Sequence, residues 1–338
     1  MVMAQHLFRA FEVSERVQDA KPVFAGRVVQ KRIADLPAGD VLIRLAFSSL
    51  NYKDALSASG NRGVTRSYPH VPGIDAAGTL VHCADARFKV GDAVIVTGHD
   101  LGMNTAGGFA EYIRVPADWV VPLPDGMTLQ QSMALGTAGL TAALCVDKLL
   151  HNGLTPAQGD VLVTGATGGV GSIAVALLGK LGFAVTACTG KPRETDYLHA
   201  IGARHVISRE EVMQGSAKPL LTPRWAGAID VAGGELLGAI LRSLSEGGSV
   251  ACCGLVSAAE FPITTYPFIL RGVNLLGVDS VRIDHGKRRE IWRKLAAQWQ
   301  VPHLEIMGKV ISFKELESEL EAILEGRGKG RRILDVCA

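Results

Sequence analysis

The sequence contains no continuous apolar run of about 18 residues or more, the length that a helix needs to cross a membrane. Its amino-terminal residues, MVMAQHLFRAFEV, mix charged with apolar residues and predict a first strand and not a signal peptide. The net charge is only +2, and no long basic run is present. We therefore expect no membrane and no nucleic acid among the partners of this protein.

The cysteines lack the spacing of a metal site or a disulfide framework. They are Cys83, Cys145, Cys188, Cys252, Cys253 and Cys337. Scattered thiols of this kind are typical of buried cysteines in a reducing compartment. We therefore predict a cytoplasmic location.

Length and composition indicate a well-packed protein of two domains. The chain has 338 residues, of which 48% are hydrophobic and 20% charged. Glycine, at 39 residues, exceeds the usual share of about 7%, as expected for many tight turns. No internal repeat or low-complexity segment is evident.

The order of predicted elements divides the chain into three sections. From about residue 1 to 130, short strands alternate with Gly and Pro turns and predict a β-rich domain. From 131 to 280, strands alternate with helices, which predicts an α/β doubly wound domain with a six-stranded parallel sheet. Residues 281–338 have no core of their own, so we expect them to complete the first domain. The six predicted strands are 161–164, 184–188, 205–207, 228–231, 249–253 and 273–277.

The stretch from Asp160 to Gly182, DVLVTGATGGVGSIAVALLGKLG, is the most informative segment. A β-branched run leads into a glycine-rich turn and then into a helical pattern, which is the order that a dinucleotide site requires. Gly168 allows the backbone to approach a pyrophosphate, and Gly171 allows the helix to pack closely on the strand. Ala166 occupies the first glycine position of the usual motif, so a purely structural glycine turn remains the alternative.

The second strand of this domain indicates which dinucleotide is bound. An NAD site normally has an acid about 20 residues after the glycines, but no acid occurs here before Glu194. The turn offers instead Thr189, Lys191 and Arg193, which suit a 2′-phosphate. These residues favour NADPH over NADH, and the alternative is a solvated basic loop.

Several motifs in both halves resemble the medium-chain dehydrogenase/reductase superfamily. They are Ser48–Asp54 (SSLNYKD), Pro72–Gly78 (PGIDAAG), Val90–Val94 (VGDAV), Gly107–Tyr112 (GGFAEY) and Gly136–Gly139 (GTAG). The resemblance implies a GroES-like substrate domain (residues 1–130 and 281–338) and a Rossmann NADP-binding domain (131–280). It also implies an active site between the two domains and catalysis by hydride transfer.

The zinc enzymes of this superfamily have a ligand Cys in the first motif and a Gly-His-Glu in the second. This chain has Ser49, Leu50 and Asn51 in the first region and Ile74 in place of the histidine. It also lacks the four-cysteine lobe, because no cysteine lies between Cys83 and Cys145. Zinc needs three or four N, S or O ligands, so we predict no metal.

A closer resemblance is to the acrylyl-CoA reductase group, long labelled quinone oxidoreductases. The matching runs are Ser49–Leu56, Ile74–Thr79, Trp225–Asp230, Cys253–Leu255, Pro267–Val273 and Leu276–Ser280. This resemblance implies NADPH-dependent reduction of acryloyl-CoA to propanoyl-CoA. Such a reaction needs a positioned hydride, a donor to the developing oxyanion and a proton source, but no metal.

Tyr52 and Asn51 are the catalytic candidates. The Tyr52 hydroxyl could position the nicotinamide ribose, donate to the enolate oxygen or supply the proton, with simple aromatic packing as the alternative. The other implied cofactor contacts are Thr167, Gly168, Gly169 and Val170 at the pyrophosphate, Thr189, Gly190 and Lys191 at the 2′-phosphate, and Leu255, Ile269 and Ser280 at the nicotinamide. His205 takes the place of an Arg in relatives, and Arg209 could compensate. Leu255 and Ile269 could equally be core residues.

Two rival functions remain open from the sequence. One is a quinone or enone reductase on the same fold, which would need no cations for the CoA 3′-phosphate. The candidates for those cations are Arg62, Arg66, Lys287, Arg288 and Arg289, and Arg331 could reach either the cofactor or a substrate phosphate. The other is a cofactor-binding protein without turnover, such as the lens crystallins. The family also implies a homodimer through the edge strand near 273–277.

Overall fold

The computed structural model of the protein describes residues 5–215 and 218–338. The strands are β1 (Leu7–Gln18), β2 (Lys21–Arg32), β3 (Val41–Ser49), β4 (Asp75–Cys83), β5 (Ala93–Thr97), β6 (Tyr112–Val115), β7 (Val120–Pro122), β8 (Val161–Val163), β9 (Val185–Cys188), β10 (His205–Ile207), β11 (Trp225–Asp230), β12 (Leu244–Cys252), β13 (Asn274–Gly277), β14 (Gly308–Ile311) and β15 (Arg331–Asp335). The helices are α1 (Tyr52–Ala58), α2 (Leu129–His151), α3 (Gly169–Lys180), α4 (Thr195–Ala200), α5 (Arg209–Met213), α6 (Gly234–Ser243), α7 (Tyr266–Arg271), α8 (His285–Ala296), α9 (Leu304–Met307) and α10 (Leu316–Leu324).

The chain forms two compact units. Unit 1 consists of the residues up to Thr137 together with 281–289 and 304–338, and unit 2 consists of 138–280 and 290–303. The boundary lies at 137/138, whereas the sequence placed it at 130/131. Residues 290–303 group with unit 2, although the sequence assigned all of 281–338 to the first domain. One reason is that Lys294 of α8 donates to Asp147 of α2 (Nζ–Oδ1 2.8 Å), which belongs to unit 2.

Unit 1 is built on a mainly antiparallel sheet. Its strand order is β14-β15-β3-β4-β5-β7, and β6 pairs with β3. β1 and β2 form a separate antiparallel hairpin. The carboxyl-terminal strand β15 pairs antiparallel with β3 and parallel with β14. The last strand therefore lies beside β3, the strand that leads into α1.

Unit 2 is built on the predicted six-stranded parallel sheet, in the order β10-β9-β8-β11-β12-β13. The chain starts in the middle at β8, moves outward to β10 and returns to β11 on the other side. This arrangement gives the doubly wound fold its switch point beside β8, where such sheets bind ligands at their carboxyl ends. Leu162, Ala228 and Val250 are fully buried in the core of this sheet.

Helix α2 is by length and composition apolar enough to cross a membrane, with a mean hydropathy of 1.4 in its most apolar window. No such stretch was predicted from the sequence, because glycine, threonine and polar residues interrupt the apolar residues of this helix. Within the protein, 83% of that window is buried, as in the core helices of globular proteins. Gly136, at φ 54°, interrupts the helical backbone.

Candidate functional site

The glycine turn after β8 has the geometry of a dinucleotide loop. Gly165 has φ +56°, a conformation that favours glycine, and a Cβ there would lie 2.4 Å from Val231 Cγ2. A Cβ at Gly171 would lie 2.2 Å from the Gly165 carbonyl oxygen, so this glycine permits the close helix packing that we predicted. Gly168 is the N-cap residue of α3, and Gly168, Gly169 and Val170 are half-buried, which leaves the start of the helix open to a ligand.

The residues predicted to bind the 2′-phosphate lie at the carboxyl end of β9. Thr189 is buried, and its hydroxyl accepts a hydrogen bond from the Lys191 backbone N–H (3.0 Å). The guanidinium of Arg209 lies over Gly190, since a Cβ on Gly190 would be 3.5 Å from Arg209 Cζ and Nε. Arg209 is exposed at the first residue of α5. One hydroxyl and one well-placed cation therefore meet at this strand end, and the next acid along the turn is Glu194.

The structure does not bring His205 to this group. His205 pairs with Thr186, at the amino-terminal end of β10, whereas Ile207 pairs with Cys188 at the carboxyl end. The two residues are about 7 Å apart along a strand. The cofactor contact of His205 therefore stays a prediction, and Arg209 is the cation that the structure places beside Gly190.

The residues predicted for the nicotinamide side also belong to unit 2. Leu255 and Ile269 are 65% and 70% exposed, so they are not core residues, which was the alternative interpretation. Leu255 follows the carboxyl end of β12, and Ile269 lies on α7. Ser280 accepts a hydrogen bond from the Thr141 hydroxyl (2.9 Å). Exposed apolar side chains beside a parallel-sheet edge suit a planar ring.

Asn51 and Tyr52 lie together in unit 1, at the start of α1. Asn51 is the N-cap residue, and its backbone N–H donates to the Asp54 carboxylate (2.8 Å) in a capping box. Tyr52 is the first helical residue and is 40% exposed. The Asn51 amide nitrogen donates to Asp75 Oδ2 (2.8 Å), and its amide oxygen accepts from Arg331 Nη1 (3.1 Å). Asn51 is thus fixed, whereas the Tyr52 ring has an open face.

The cations considered for a substrate phosphate differ sharply in exposure. Arg288 is fully buried and donates to the Thr97 and Val281 carbonyls (2.8 and 2.9 Å). Arg331 is only 3% exposed and lies among side chains of unit 1. Arg62 pairs with Glu15 (2.6 Å). Neither Arg288 nor Arg331 is therefore accessible to a phosphate in solution.

The residues at the positions where the zinc enzymes have their ligands do not suit a metal. Asn51 offers an amide already bonded on both sides, and Ile74 is a buried apolar residue of unit 1. Across residues 5–215 and 218–338, no three His, Cys, Asp or Glu side chains cluster as metal ligands would.

Both halves of the chain match known protein families. Residues 37–125 match the family described as alcohol dehydrogenase GroES-like domain, and residues 169–299 match zinc-binding dehydrogenase. The Acrylyl-CoA reductase AcuI of Ruegeria pomeroyi is 43% identical over 98% of this chain and 100% of that protein. The chain belongs to the quinone oxidoreductase-like group of the medium-chain dehydrogenase/reductase superfamily.

Two crystal structures of relatives contain different cofactors. The yhdH oxidoreductase of Salmonella enterica in complex with NADP has a TM-score of 0.92 and 41% identity, covering 97% of this chain and 99% of that one. The yhfP protein of Bacillus subtilis with NAD bound has a TM-score of 0.94 and 44% identity, covering 98% and 100%. YhfP carries a quinone oxidoreductase name. The fold predicted from the sequence, a GroES-like domain and a Rossmann domain, is confirmed.

Two residues at the carboxyl edge of the parallel sheet were not predicted from the sequence. Gly165 provides the left-handed turn, although the motif drew attention to Ala166 instead. Asp230 ends β11, and its carboxylate accepts from Thr164 Oγ1 (2.7 Å) and the Gly233 N–H (2.8 Å). Burial raises the pKa of Asp230. Its position at the end of a predicted strand, shortly before Gly233 and Gly234, was the available signal.

Proposed function

We propose that this protein reduces the C=C bond of acryloyl-CoA to propanoyl-CoA with NADPH. The observation that carries this proposal is the 43% identity to an acrylyl-CoA reductase over nearly the whole chain, combined with an exposed Tyr52 beside a fixed Asn51. A relative with bound NADP has the same fold at 41% identity. The enzyme class that follows is an oxidoreductase acting on an activated alkene.

NADPH is the cofactor that unit 2 suits best. The Gly165–Gly171 turn would hold the pyrophosphate, and Thr189, Gly190, Lys191 and Arg209 would surround the 2′-phosphate. A carboxylate at this strand end would repel a 2′-phosphate, and the turn contains none before Glu194. Leu255, Ile269 and Ser280 would then line the nicotinamide.

The reaction is a conjugate reduction. NADPH supplies the hydride, which adds to Cβ, while a proton from solvent or from a side chain adds to Cα and gives propanoyl-CoA. Negative charge develops on the thioester oxygen during the addition, so a preorganised hydrogen-bond donor accelerates it. The Tyr52 hydroxyl is the proposed donor to that oxygen, and the fixed Asn51 amide is its polar neighbour.

Two finer properties complete the proposal. The chain would act as a homodimer, because β13 is an edge strand of the parallel sheet and Leu275 on it is 38% exposed. It would work in the cytoplasm, since the six cysteines are free thiols, as suits a reducing compartment.

The test measures NADPH oxidation with acryloyl-CoA by the absorbance of the reduced nicotinamide. Parallel assays replace NADPH with NADH, or acryloyl-CoA with a 1,4-benzoquinone. The expected product is propanoyl-CoA that carries one deuterium at Cβ when deuterated NADPH is the donor, as mass spectrometry would detect. Turnover with the quinone but not with acryloyl-CoA would contradict the substrate assignment.

A quinone reductase is the second candidate, favoured by the name of the Bacillus relative and by the burial of Arg288 and Arg331. Burial of these two removes them as ligands for the CoA 3′-phosphate. Arg66, which is exposed, remains as a cation for that phosphate in unit 1. A KM for acryloyl-CoA that rises in Arg66→Ala, with the KM for benzoquinone unchanged, would favour the CoA substrate.

A further inference from the structure

A buried polar cluster lies directly behind Asn51 in unit 1. Asp54 and Asp75 are 0% exposed, and Arg331 is 3% exposed. The three residues come from α1, β4 and β15, which are far apart in the sequence. Burying three ionisable side chains together is costly unless they are paired and hydrogen-bonded.

The cluster holds the Asn51 amide at both ends. Asp75 Oδ2 accepts from the Asn51 amide nitrogen (2.8 Å), and Arg331 Nη1 donates to the amide oxygen (3.1 Å). Ser49 connects the two charged groups, because its hydroxyl donates to Asp75 Oδ2 (2.7 Å) and accepts from Arg331 Nη2 (2.8 Å). The direct distance from Arg331 Nη2 to Asp75 Oδ2 is 3.7 Å. The amide is therefore fixed in one of its two orientations.

The kink of α2 completes the cluster. Thr137 donates to the Asp75 carboxylate through its backbone N–H (2.9 Å) and its hydroxyl (2.6 Å). A Cβ at Gly136 would lie 2.4 Å from Asp75 Oδ2 and 2.8 Å from Arg331 Nη2. Gly136 also has φ +54°, so a side chain at this position is excluded by both space and backbone conformation.

Asp54, the second acid of the cluster, holds the backbone at the start of α1. Asp54 Oδ2 accepts from the Asn51 N–H (2.8 Å), and Oδ1 accepts from the N–H groups of Gly73 and Ile74 (3.1 and 2.8 Å). Tyr52 lies between Asn51 and Asp54 in the first turn of α1. Both the side chain and the backbone N–H of Asn51, the residue before Tyr52, are thus held by hydrogen bonds to the cluster.

We propose that Asp75 and Arg331 are positioning residues, which hold Asn51 and the first turn of α1 so that Tyr52 meets the substrate in one orientation. This inference rests on the proposed function of Tyr52. Stability alone is a weak reason for such a cluster, because well-packed apolar residues often stabilise a core as much as a buried ion pair does. Fixing an amide and a helix start to within a fraction of an ångström does require it.

The test compares Asp75→Asn, Ser49→Ala and Arg331→Lys with the wild type. We expect kcat to fall at least about 10-fold in Asp75→Asn and Arg331→Lys, since a misplacement of about 1 Å can cost 100-fold in rate. The Kd for NADPH, from fluorescence titration, should change by less than about twofold, because the phosphate-binding turn belongs to unit 2. Ser49→Ala removes only the connecting hydroxyl and should give a smaller fall in kcat in a protein that folds.

The matched control is Arg332→Lys on the next residue of β15. The Arg332 guanidinium pairs with Glu319 (2.6 Å) outside the cluster, so this variant should keep the wild-type kcat. Folded Arg331→Lys and Ser49→Ala proteins with wild-type kcat would overturn the positioning role. A parallel loss of kcat, NADPH affinity and melting temperature would also overturn it, in favour of a purely structural role. Absence of turnover in the wild type with both acryloyl-CoA and benzoquinone would instead refute the proposed function.

Discussion

His205 is the first residue of β10 and Arg209 follows its carboxyl end, and from this difference we predict which of them reaches a 2′-phosphate. Arg209 covers Gly190, whereas His205 pairs with Thr186 at the far end of the strand. We expect Arg209→Gln to raise the KM for NADPH by about 10- to 100-fold, the value of one charge-assisted hydrogen bond, with little change for NADH. Steady-state kinetics with both cofactors measures this.

The control for that prediction is His205→Ala, which should leave the KM for NADPH unchanged. If His205→Ala weakens NADPH binding as much as Arg209→Gln does, the phosphate site lies elsewhere. Sequence spacing alone could not separate these two residues, because the position of a side chain along β10 depends on its register with β9.

Tyr52 gives a second prediction at the scale of single residues. Removing its hydroxyl in Tyr52→Phe should lower kcat about 100-fold, as expected for the loss of a donor to a developing oxyanion or of a general acid. Tyr112→Phe is the control, because Tyr112 packs edge-on against Phe8 (5.7 Å between ring centroids) in the same unit. Wild-type kcat in Tyr52→Phe would leave Tyr52 with a packing role only.

At the scale of elements, the start of helix α1 is capped by Asp54, a buried acid with a raised pKa. Burial, and secondarily the neighbouring Asp75, raise the pKa of Asp54 to about 7. The folded state therefore binds this proton more tightly than the unfolded state does, so the Asp54 contribution to stability is present at low pH. It is lost as pH rises from about 4 to 7.

The measurement is the free energy of unfolding in urea at pH 5 to 8 for the wild type and Asp54→Asn. The wild-type value minus the variant value should fall by about 3 kcal/mol between pH 5 and pH 8. Using the difference removes the opposite slope of His70 and His99, whose pKa values are lowered by burial. Asp85→Asn is the control, since Arg87 lowers the pKa of Asp85 and moves its effect below this range. A difference independent of pH would contradict the prediction.

The elements that the sequence predicted well are those with a local signal. The strand predicted at 205–207 coincides with the edge strand β10. The strands predicted at 184–188 and 249–253 overlap β9 and β12, because buried parallel strands contain short apolar runs. Strand β2 was missed, since Lys21–Arg32 is rich in charge and exposed along most of its length. It is a strand because β1 pairs with it over its whole length, which no local pattern shows.

The candidate site was predicted in part for the same reason. Contiguous motifs gave the glycine turn and the Asn51–Tyr52 pair. The residues that fix Asn51 come from β4, the α2 kink and β15, so only the fold brings Asp75, Gly136 and Arg331 together. Arg331 could not be assigned from the sequence because the pairing of β15 with β3 determines where its side chain lies.

At the scale of the whole molecule, both sheets end in an edge strand with an exposed apolar residue. Leu275 on β13 is 38% exposed, and Val310 on β14 is 44% exposed. An open edge strand presents unpaired backbone groups that a second copy can match. Leu270 of α7, a helix that packs against β12 next to β13, is 60% exposed, and Ile306 of α9, which packs against β14, is 48% exposed. The family resemblance, which implies a dimer through the strand near 273–277, favours β13 as the strand that pairs across a two-fold axis.

We therefore expect light scattering after size exclusion to give about twice the 35.8 kDa chain mass for the wild type. Leu275→Arg should shift the protein toward the monomer, because like charges would face each other across the symmetric strand pair. Val310→Arg introduces the same charge on the other edge strand and should remain dimeric. A monomeric wild type would refute the dimer, and dissociation by Val310→Arg alone would place the interface on β14. NADPH binding to the Leu275→Arg monomer would show that the phosphate site needs only one chain, as expected when Gly165, Gly190 and Arg209 all come from unit 2.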